Sequence, residues 1–453
     1  MNRLASTPLK GHDSPTSGEA QFPLAGANDS DQTTASPDGP MTSLEKSVIH
    51  RLFRWLGDPP VSVVYRNDEI SPSGCSPQER VVIQDRWTLW KLAIDPTYQF
   101  GEAYISGKIV LDGDLFNLIS ILYRSFNQRQ SLLPCLVHRV LRSSSRTVSK
   151  SRDNIKHHYD IGNDFYRLWL DERLIYTCAY FAKPSLTLEQ AQVAKMNHIC
   201  RKLRLQPGQV VLEAGCGWGA FALHMAQQFG VTVKAFNISS EQIKYARNQA
   251  RRRGLDDRVE FIEDDWRNIC QPCDAFVSVG MLEHVGIENY VRFGDVIDRC
   301  LQPNGIGLIH TIGQNQAIPL NPWIEQRIFP GAYPPTLRQM MGIFETHQFS
   351  ILDVENLRPH YALTLRHWLD RFMRSEESVL ERFDERFVRM WSLYLSGSIA
   401  AFETGQLQLY QLLFARAANN DIPWTRDALY KTEASSRDPN ADLPLVSADQ
   451  GKM

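Results

Sequence analysis

Three glycines, Gly215, Gly217 and Gly219, follow the acid Glu213 in the stretch VLEAGCGWGA, which itself continues the apolar run Val210, Val211 and Leu212. Residues Phe221–Gln228 then carry helical spacing of apolar side chains. A strand, a glycine turn and a helix bring bare backbone up to a nucleotide-like ligand at a helix N-terminus. The spacing G-x-G-x-G behind an acid fits S-adenosylmethionine, whereas the dinucleotide fingerprint G-x-G-x-x-G would need glycine at Ala220. Two more polar groups fall where later strands end. Asn237, Ser239 and Gln242 follow the second strand, where such sites hold the ribose hydroxyls. Asp265 and Trp266 end the third, where a carboxylate can take the adenine amino group and an indole can cover the ring.

Three further clusters carry residue types for chemistry. Tyr176-Thr177-Cys178-Ala179-Tyr180 precedes a helix capped by Ser185 or Thr187. Met281-Leu-Glu283-His284-Val285 follows the fourth strand, and Ile309-His310-Thr-Ile312-Gly313 ends the fifth. Cys178 has no histidine motif of the thiol-enzyme kind, so it is expected to supply backbone and packing rather than a nucleophile. Cys270 and Cys273 have the spacing of a metal or redox pair but lack a second pair or a histidine cluster, and no metal is expected.

The elements that must position these residues alternate. Strands are predicted at Val210–Glu213, Val231–Phe236, Val259–Ile262, Ala275–Val279 and Gly307–Thr311, with helices between them, notably Glu241–Arg253 and Tyr290–Cys300. Strands alternating with helices predict an α/β fold with a mostly parallel, doubly wound sheet and a ligand at the carboxyl ends of the strands. The segment from Trp323 to Ala417 is aromatic-rich and reads as mostly helical. Residues 44–140 form a small α+β N-terminal domain, with strands at Val61–Tyr65, Val81–Ile83 and Ile109–Leu111 and helices at Leu89–Ile94 and Leu115–Phe126. Residues 1–43 have the composition of a disordered tail, and 421–453 that of a polar, frayed C-terminal tail. A basic linker at 141–156 carries Arg142, Arg146, Lys150, Arg152 and Lys156, a strip suited to anionic headgroups.

Composition narrows the class of function. The chain has 453 residues and a net charge of −2, which gives no electrostatic case for nucleic acid. Eight cysteines without a framework read as reduced thiols. No signal peptide and no run of the ~20 apolar residues a spanning helix needs is visible, so a cytoplasmic protein is expected.

From His157 to Arg416 the motifs HHYDIGNDFYRLWLD, YTCAYF, EAGCGWG, MLEHVG, HTIG, PWIEQRIFPGAYP and FETGQLQLYQLLFAR appear in one order. In this the chain resembles the cyclopropane-fatty-acyl-phospholipid synthases and the mycolic acid cyclopropane synthases. Phe100-Gly-Glu-Ala-Tyr104 looks like part of the extra N-terminal domain of the phospholipid-acting branch. The resemblance implies a Rossmann-like class I S-adenosylmethionine methyltransferase domain at 157–420, with helical acyl-binding insertions, acting on phospholipid acyl chains at the inner face of a membrane. A homodimer is possible in such a family. It also implies a bicarbonate ion as base, bound by the side chains of Glu283, His310 and Tyr361 and by backbone around Cys178 and Ile312. Tyr176, Thr177, Glu213, the three glycines, Asn237, Ser239, Gln242, Asp265 and Trp266 would bind S-adenosylmethionine. Tyr159, Phe165, Tyr166, Tyr180, Trp323, Phe329, Tyr333 and Trp391 suit an acyl tunnel whose π-faces favour a cation. Ala220, Asn237 and Glu213 depart from the commoner residues of the family, all on the cofactor side. The rival outcomes are a methyl- or methylene-branched lipid and a non-catalytic lipid-binding protein.

Overall fold

The computed structural model describes residues 39–74, 76–128 and 161–430. The tail 1–38, the basic linker 141–156 with its cations, Tyr159 and residues 431–453 lie outside the described residues. Helix α1, Ser43–Leu56, opens the N-terminal part, with Thr42 and Glu45 forming a capping box. Strands β1 (Val61–Tyr65), β2 (Asp68–Ile70), β3 (Glu79–Ile83) and β4 (Ile109–Asp112) make one small sheet in the order β2-β1-β3-β4. Helices α2 (Arg86–Ile94) and α3 (Pro96–Ile105) lie in the connection between β3 and β4, and α4 (Leu115–Gln128) follows β4. The reading of the sequence missed β2, a three-residue edge strand with two acids, and α3, whose start is set by the Asp95 cap and Pro96 at its first position.

The larger sheet has seven strands in the order β10-β11-β9-β8-β5-β6-β7. Strands β5 (Val210–Ala214), β6 (Thr232–Asn237), β7 (Val259–Glu263), β8 (Cys273–Val279) and β9 (Leu301–Gly313) are parallel to their neighbours in that set. The order reverses between β5 and β8, which makes that crevice the topological switch point. Helices Ala220–Phe229, Ser240–Arg253 and Tyr290–Cys300 cover its faces, with Val211, Val233, Val277 and Leu308 buried on one side and Leu212, Phe236, Phe276 and Ile309 on the other.

The stretch 323–417 is mostly helical, as expected, but it also carries two strands that the sequence reading did not place. Residues Phe349–Asn356 form β10 and Gln408–Arg416 form β11, each antiparallel to its neighbour. In QLYQLLFAR nearly every side chain is buried, because β11 lies inside the sheet with both faces covered, and this removes the alternation that marks a strand. The helices Arg358–Arg374 and Glu385–Thr404 lie between these strands and pack on each other. Residues after 420 are tied down as far as they are described: Arg426 pairs with Asp353 at 2.6 Å and Arg201 donates to the Leu429 carbonyl at 3.1 Å.

Helix α3 joins the two parts. Glu102 takes both guanidinium donors of Arg327, at 2.9 and 2.7 Å, and Arg389 donates to the Tyr104 carbonyl at 3.3 Å. Gly101 lies against the indole of buried Trp323, where a Cβ would come within 2.5 Å of the ring. Gly101→Ala should therefore force the indole aside and lower stability by about 1–3 kcal/mol, read as a lower unfolding midpoint. An unchanged midpoint would show that Trp323 yields freely.

Candidate active site

Each glycine of the loop has a distinct task. All three have positive φ, at +84°, +54° and +82° for Gly215, Gly217 and Gly219. A Cβ on Gly215 would strike Met281 at 2.9 Å, and one on Gly219 would strike Phe261 at 2.6 Å and Ala246 at 2.8 Å. A Cβ on Gly217 meets nothing within 4 Å. Gly217 thus presents open backbone to a small groove, and Gly219 instead lets the helix Ala220–Phe229 pack closely. The groove is lined by Tyr176, Thr177, Glu213, Gly215, Gly217, Asn237 and Gln242, among others. The Asn237 amide donates to the Gly217 carbonyl at 3.2 Å and to Gln242 Oε1 at 2.8 Å, which ties the second strand end to the loop.

Four residues assigned to cofactor binding do not line this groove: Gly219, Ser239, Asp265 and Trp266. Ser239 caps the helix Ser240–Arg253. Asp265 is buried and takes Arg267 at 3.0 and 2.9 Å, and the guanidinium lies 4.7 Å from the centre of the Trp266 ring. Trp266 also packs edge-on against Phe293. Asp265 and Trp266 do stand at the end of the third strand as expected, beside the groove's Asn237 strand.

The groove floor holds a residue the sequence did not suggest. Lys195 is buried on the helix Leu188–Lys202, and its Nζ donates to Thr177 Oγ1 at 3.0 Å. Burial pushes Glu213 up and Lys195 down, each partly offset by the other's charge. Glu213 Oε2 has no protein partner. On the same helix, Gln192 donates to the Thr177 carbonyl at 2.9 Å. A lysine on the apolar face of a capped helix was the available signal for this support.

A second, much larger cavity of about 2070 Å³ opens beside the groove. Tyr176, Thr177, Gly280 and His284 line both. Glu283, His310, Tyr361, Cys178 and Ile312 all line the larger one, so residues spread over 184 positions of sequence come together. Glu283 is on the short helix Leu282–Val285 and is 6% exposed. The Ile312 amide donates to its Oε1 at 2.5 Å, and its Oε2 has no hydrogen-bond partner among the described residues. Backbone around Ile312 was expected to help hold a bound anion; here the Ile312 N–H itself goes to Glu283. Burial, against the Ile312 donor, pushes the Glu283 carboxyl up to about 7.

His310 is 1% exposed and burial holds it well below the ordinary imidazole range, so it is neutral. Gln411 Nε2 lies 3.1 Å from its Nδ1. An amide nitrogen only donates, so Nδ1 accepts, and the ring proton sits on Nε2, which has no hydrogen-bond partner among the described residues. Gln411 is opposite His310 in the β9–β11 register. It escaped the sequence reading although an amide inside QLYQLLFAR was its signal.

Tyr361 is on the helix Arg358–Arg374 and is 9% exposed. Neighbouring His360 accepts from the Phe181 amide and, with His198, sandwiches the Tyr180 ring at 4.8 and 4.4 Å. Of the aromatics expected to form a tunnel, Trp323, Phe329 and Tyr333 line the cavity. Phe165, Tyr166 and Trp391 instead belong to a closed aromatic core with Trp169 and Trp368. Cys178 is fully buried, burial pushes its thiol up, and its Sγ donates to the Ala179 carbonyl. In the folded protein Cys178 should resist iodoacetamide at pH 8 while exposed Cys270 reacts, as read by mass spectrometry of peptides. Fast labelling of Cys178 would contradict the packing.

Residues 146–412, more than half of the chain, match the family model described as mycolic acid cyclopropane synthetase. Residues 48–132 match a domain family of unknown function. The chain is 34% identical to a probable fatty acid methyltransferase of Pseudomonas putida, over 79% of this chain and 93% of the relative. It is 42% identical to the cyclopropane-fatty-acyl-phospholipid synthase of Escherichia coli K12, over 59% of this chain and 69% of the relative. Among solved structures, the mycolic acid cyclopropane synthase CmaA1 in complex with SAH and CTAB superposes with a TM-score of 0.55 at 29% identity, covering 58% of this chain and 97% of that one. With the seven-stranded sheet and the glycine loop at its switch point, these matches place the chain in the mycolic acid cyclopropane synthetase family, as an enzyme on the class I S-adenosylmethionine methyltransferase fold.

Proposed function

We propose that the chain converts cis double bonds of phospholipid acyl chains to cyclopropanes, with the methyl group of S-adenosylmethionine as the added carbon. One observation carries this reading. An apolar cavity of lipid size meets the glycine-loop groove at four shared residues, and at that meeting point a carboxylate and an imidazole each keep one polar atom without a protein partner.

The groove fits the cofactor by its own chemistry. Open backbone at Gly217, the unpartnered Glu213 oxygen for an ammonium group, and the Asn237–Gln242 amides for hydroxyls form a consistent donor and acceptor set. Asp265 and Trp266 stand at the end of the neighbouring strand, on the side where adenine would lie, with the Asp265 carboxylate held by Arg267. When bound, S-adenosylmethionine supplies an electrophilic methyl group. The alkene's π-electrons form the new carbon–carbon bond, the methyl–sulfur bond breaks, and the substrate is left with a carbocation. One proton must then leave the added carbon so that its electron pair can close the ring.

The residues here suit that second half. Glu283 offers an acceptor and neutral His310 an Nε2–H donor. A bicarbonate ion held by these groups would be the base: an anionic oxygen would take the substrate proton while the bicarbonate hydroxyl passes its own to the Glu283 carboxylate, and His310 Nε2–H and the Tyr361 hydroxyl would donate to its anionic oxygens. Tyr176, Tyr361, Tyr394 and Phe402 supply ring surface in the cavity wall for the cation, without a nucleophile that would trap it. The Cys178 thiol is kept protonated by burial, which suits that requirement.

No described helix is long and apolar enough to cross a membrane. The substrate must therefore be drawn from a bilayer surface, and the exposed side chains of Leu44, Trp87 and Ile94 suit insertion at the interface. Ile94 also lines the cavity. Peripheral attachment at the cytoplasmic face and a homodimer belong to the same reading. A methyl- or methylene-branched product is a second reading, favoured by the relative named as a fatty acid methyltransferase, which matches more of this chain than the cyclopropane synthase does.

Purified protein incubated with S-adenosylmethionine, bicarbonate and vesicles of a cis-monounsaturated phospholipid should give lipid heavier by one CH2, with olefinic protons lost and high-field ring protons gained. Retained olefinic signals with the same mass gain would favour the branched product, and no gain would overturn both. Glu283→Gln should bind S-adenosylmethionine as before and lose roughly 100-fold or more in turnover. Because the acceptor is the ionised carboxylate and its pKa is raised to about 7, wild-type turnover should fall as pH drops through about 7. The stability sign is opposite. A raised carboxyl pKa favours the folded state only while the group is protonated, and this contribution is lost as pH rises through about 7. Glu283→Gln should therefore melt no lower than wild type above that pH; a lower melting point would show that the charged carboxylate is itself stabilising.

A further inference from the structure

The N-terminal domain has an interior that is divided where a core of its size would be continuous. Its buried apolar side chains fall into two clusters, one around Ile49, Phe53 and Ile83 and another around Val61, Val81 and Leu118, with only Leu92 at the edge of both. Folded domains normally bury one contiguous core, packed with few voids larger than a water molecule. Here the side chains of both clusters line the same cavity as Glu283 and His310. At about 2070 Å³ it exceeds the roughly 300–1,000 Å³ that encloses a drug-sized ligand. Its wall runs from α1, β1, β3 and α4 over Phe100, Gly101 and Trp323, where α3 docks on the catalytic part.

The chemistry of that inner half is one-sided. Among its described lining residues the only charged side chain is Asp95, which is committed to capping α3 through the Tyr98 amide at 3.1 Å. A phosphate headgroup buried there would lack a partner and cost several kcal/mol. A hydrocarbon would not, and a cavity lined by aliphatic side chains takes apolar ligands in preference to water.

We infer that the hollow N-terminal domain is an acyl-chain sleeve: it receives the methyl-terminal length of the chain whose double bond lies at Glu283 and His310, and so selects lipids by the chain length beyond that bond. The inference rests on the proposed lipid substrate. The catalytic part holds the double bond, and the N-terminal domain measures what lies past it. The Glu102–Arg327 pair and the Gly101–Trp323 contact keep the two halves of the cavity in line.

The test uses the full chain and a phosphatidylcholine carrying one cis-unsaturated and one saturated chain, with a photoreactive diazirine near the methyl end of either. Irradiation with the probe on the unsaturated chain should mark peptides containing Val61, Val81 or Leu118. Marks confined to residues 161–430, marks obtained only from the saturated chain, or no capture would overturn the sleeve. Val81→Phe, which fills the hollow, should lower kcat/KM for long chains by about tenfold or more while shortened chains are spared. Unfolding midpoint and S-adenosylmethionine affinity of this variant are measured alongside, and an unaltered chain-length profile would also overturn the inference. Capture in the sleeve by a wild-type protein that transfers no methyl group would leave the sleeve standing and remove the proposed reaction instead.

Discussion

A carboxylate that is buried with one oxygen satisfied and the other without a hydrogen-bond partner among the described residues is expensive to hold, and Glu283 is held that way. Desolvation of a charged carboxyl costs several kcal/mol, which is why its pKa rises. The structure offsets part of that cost first with the Ile312 amide at the end of β9, then with the Glu283 amide and the Thr311 hydroxyl. The Ile312 amide is in position because β11 pairs with the outer edge of β9, setting Leu409 opposite Ile312 and Gln411 opposite His310. One strand pairing therefore positions both the support of the carboxylate and the partner that decides the imidazole tautomer. A shift of one residue in that register would turn Gln411 to the other face of the sheet.

The segment Tyr176–Phe181 has no regular structure of its own, yet it forms the border between groove and cavity. Its backbone is fastened from two sides. Gln192 and Lys195 reach the Thr177 carbonyl and hydroxyl, and Thr364 on the helix Arg358–Arg374 accepts from the Ala179 amide at 3.0 Å. The helix carrying Lys195 is in turn bound to β10, where Glu355 accepts from Lys202 at 2.6 Å and lies 2.7 Å from His198. Burial would raise the Glu355 carboxyl, but these two partners bring it down to about 2. A loop that must separate two ligands without closing either space is thus made rigid by buried polar contacts rather than by a ladder of its own.

The N-terminal part depends on the same economy of contacts. Phe100-Gly-Glu-Ala-Tyr104 in α3 meets Pro322–Arg327 through an ion pair and a glycine–indole contact, and α4 packs along the helix Glu385–Thr404. These joints leave the interior of the small domain continuous with the catalytic cavity. An interface with a larger residue at position 101 could not bring the Trp323 ring so close.

Local chemistry was legible in the chain itself. The glycine loop, the Thr187 cap and the five parallel strands depend on neighbours in sequence, so spacing alone exposes them, whereas Glu283 and His310 took their roles from the resemblance. Tyr361 was marked only by resemblance, and the fold brought it to the same cavity. What the tertiary structure alone decided are relations between distant segments. Strand β11 is buried on both faces and loses its alternation, so its place in the sheet, and with it the Gln411–His310 pair, could not be read from periodicity. Lys195 reads as an ordinary helix lysine until the Thr177 segment folds over it. Phe165, Tyr166 and Trp391 read like the tunnel aromatics Trp323 and Phe329, and only packing sorted core from wall. Residue type and spacing determine which groups are available; which of them are desolvated, and which keep a free polar atom, is settled by what the rest of the chain lays across them.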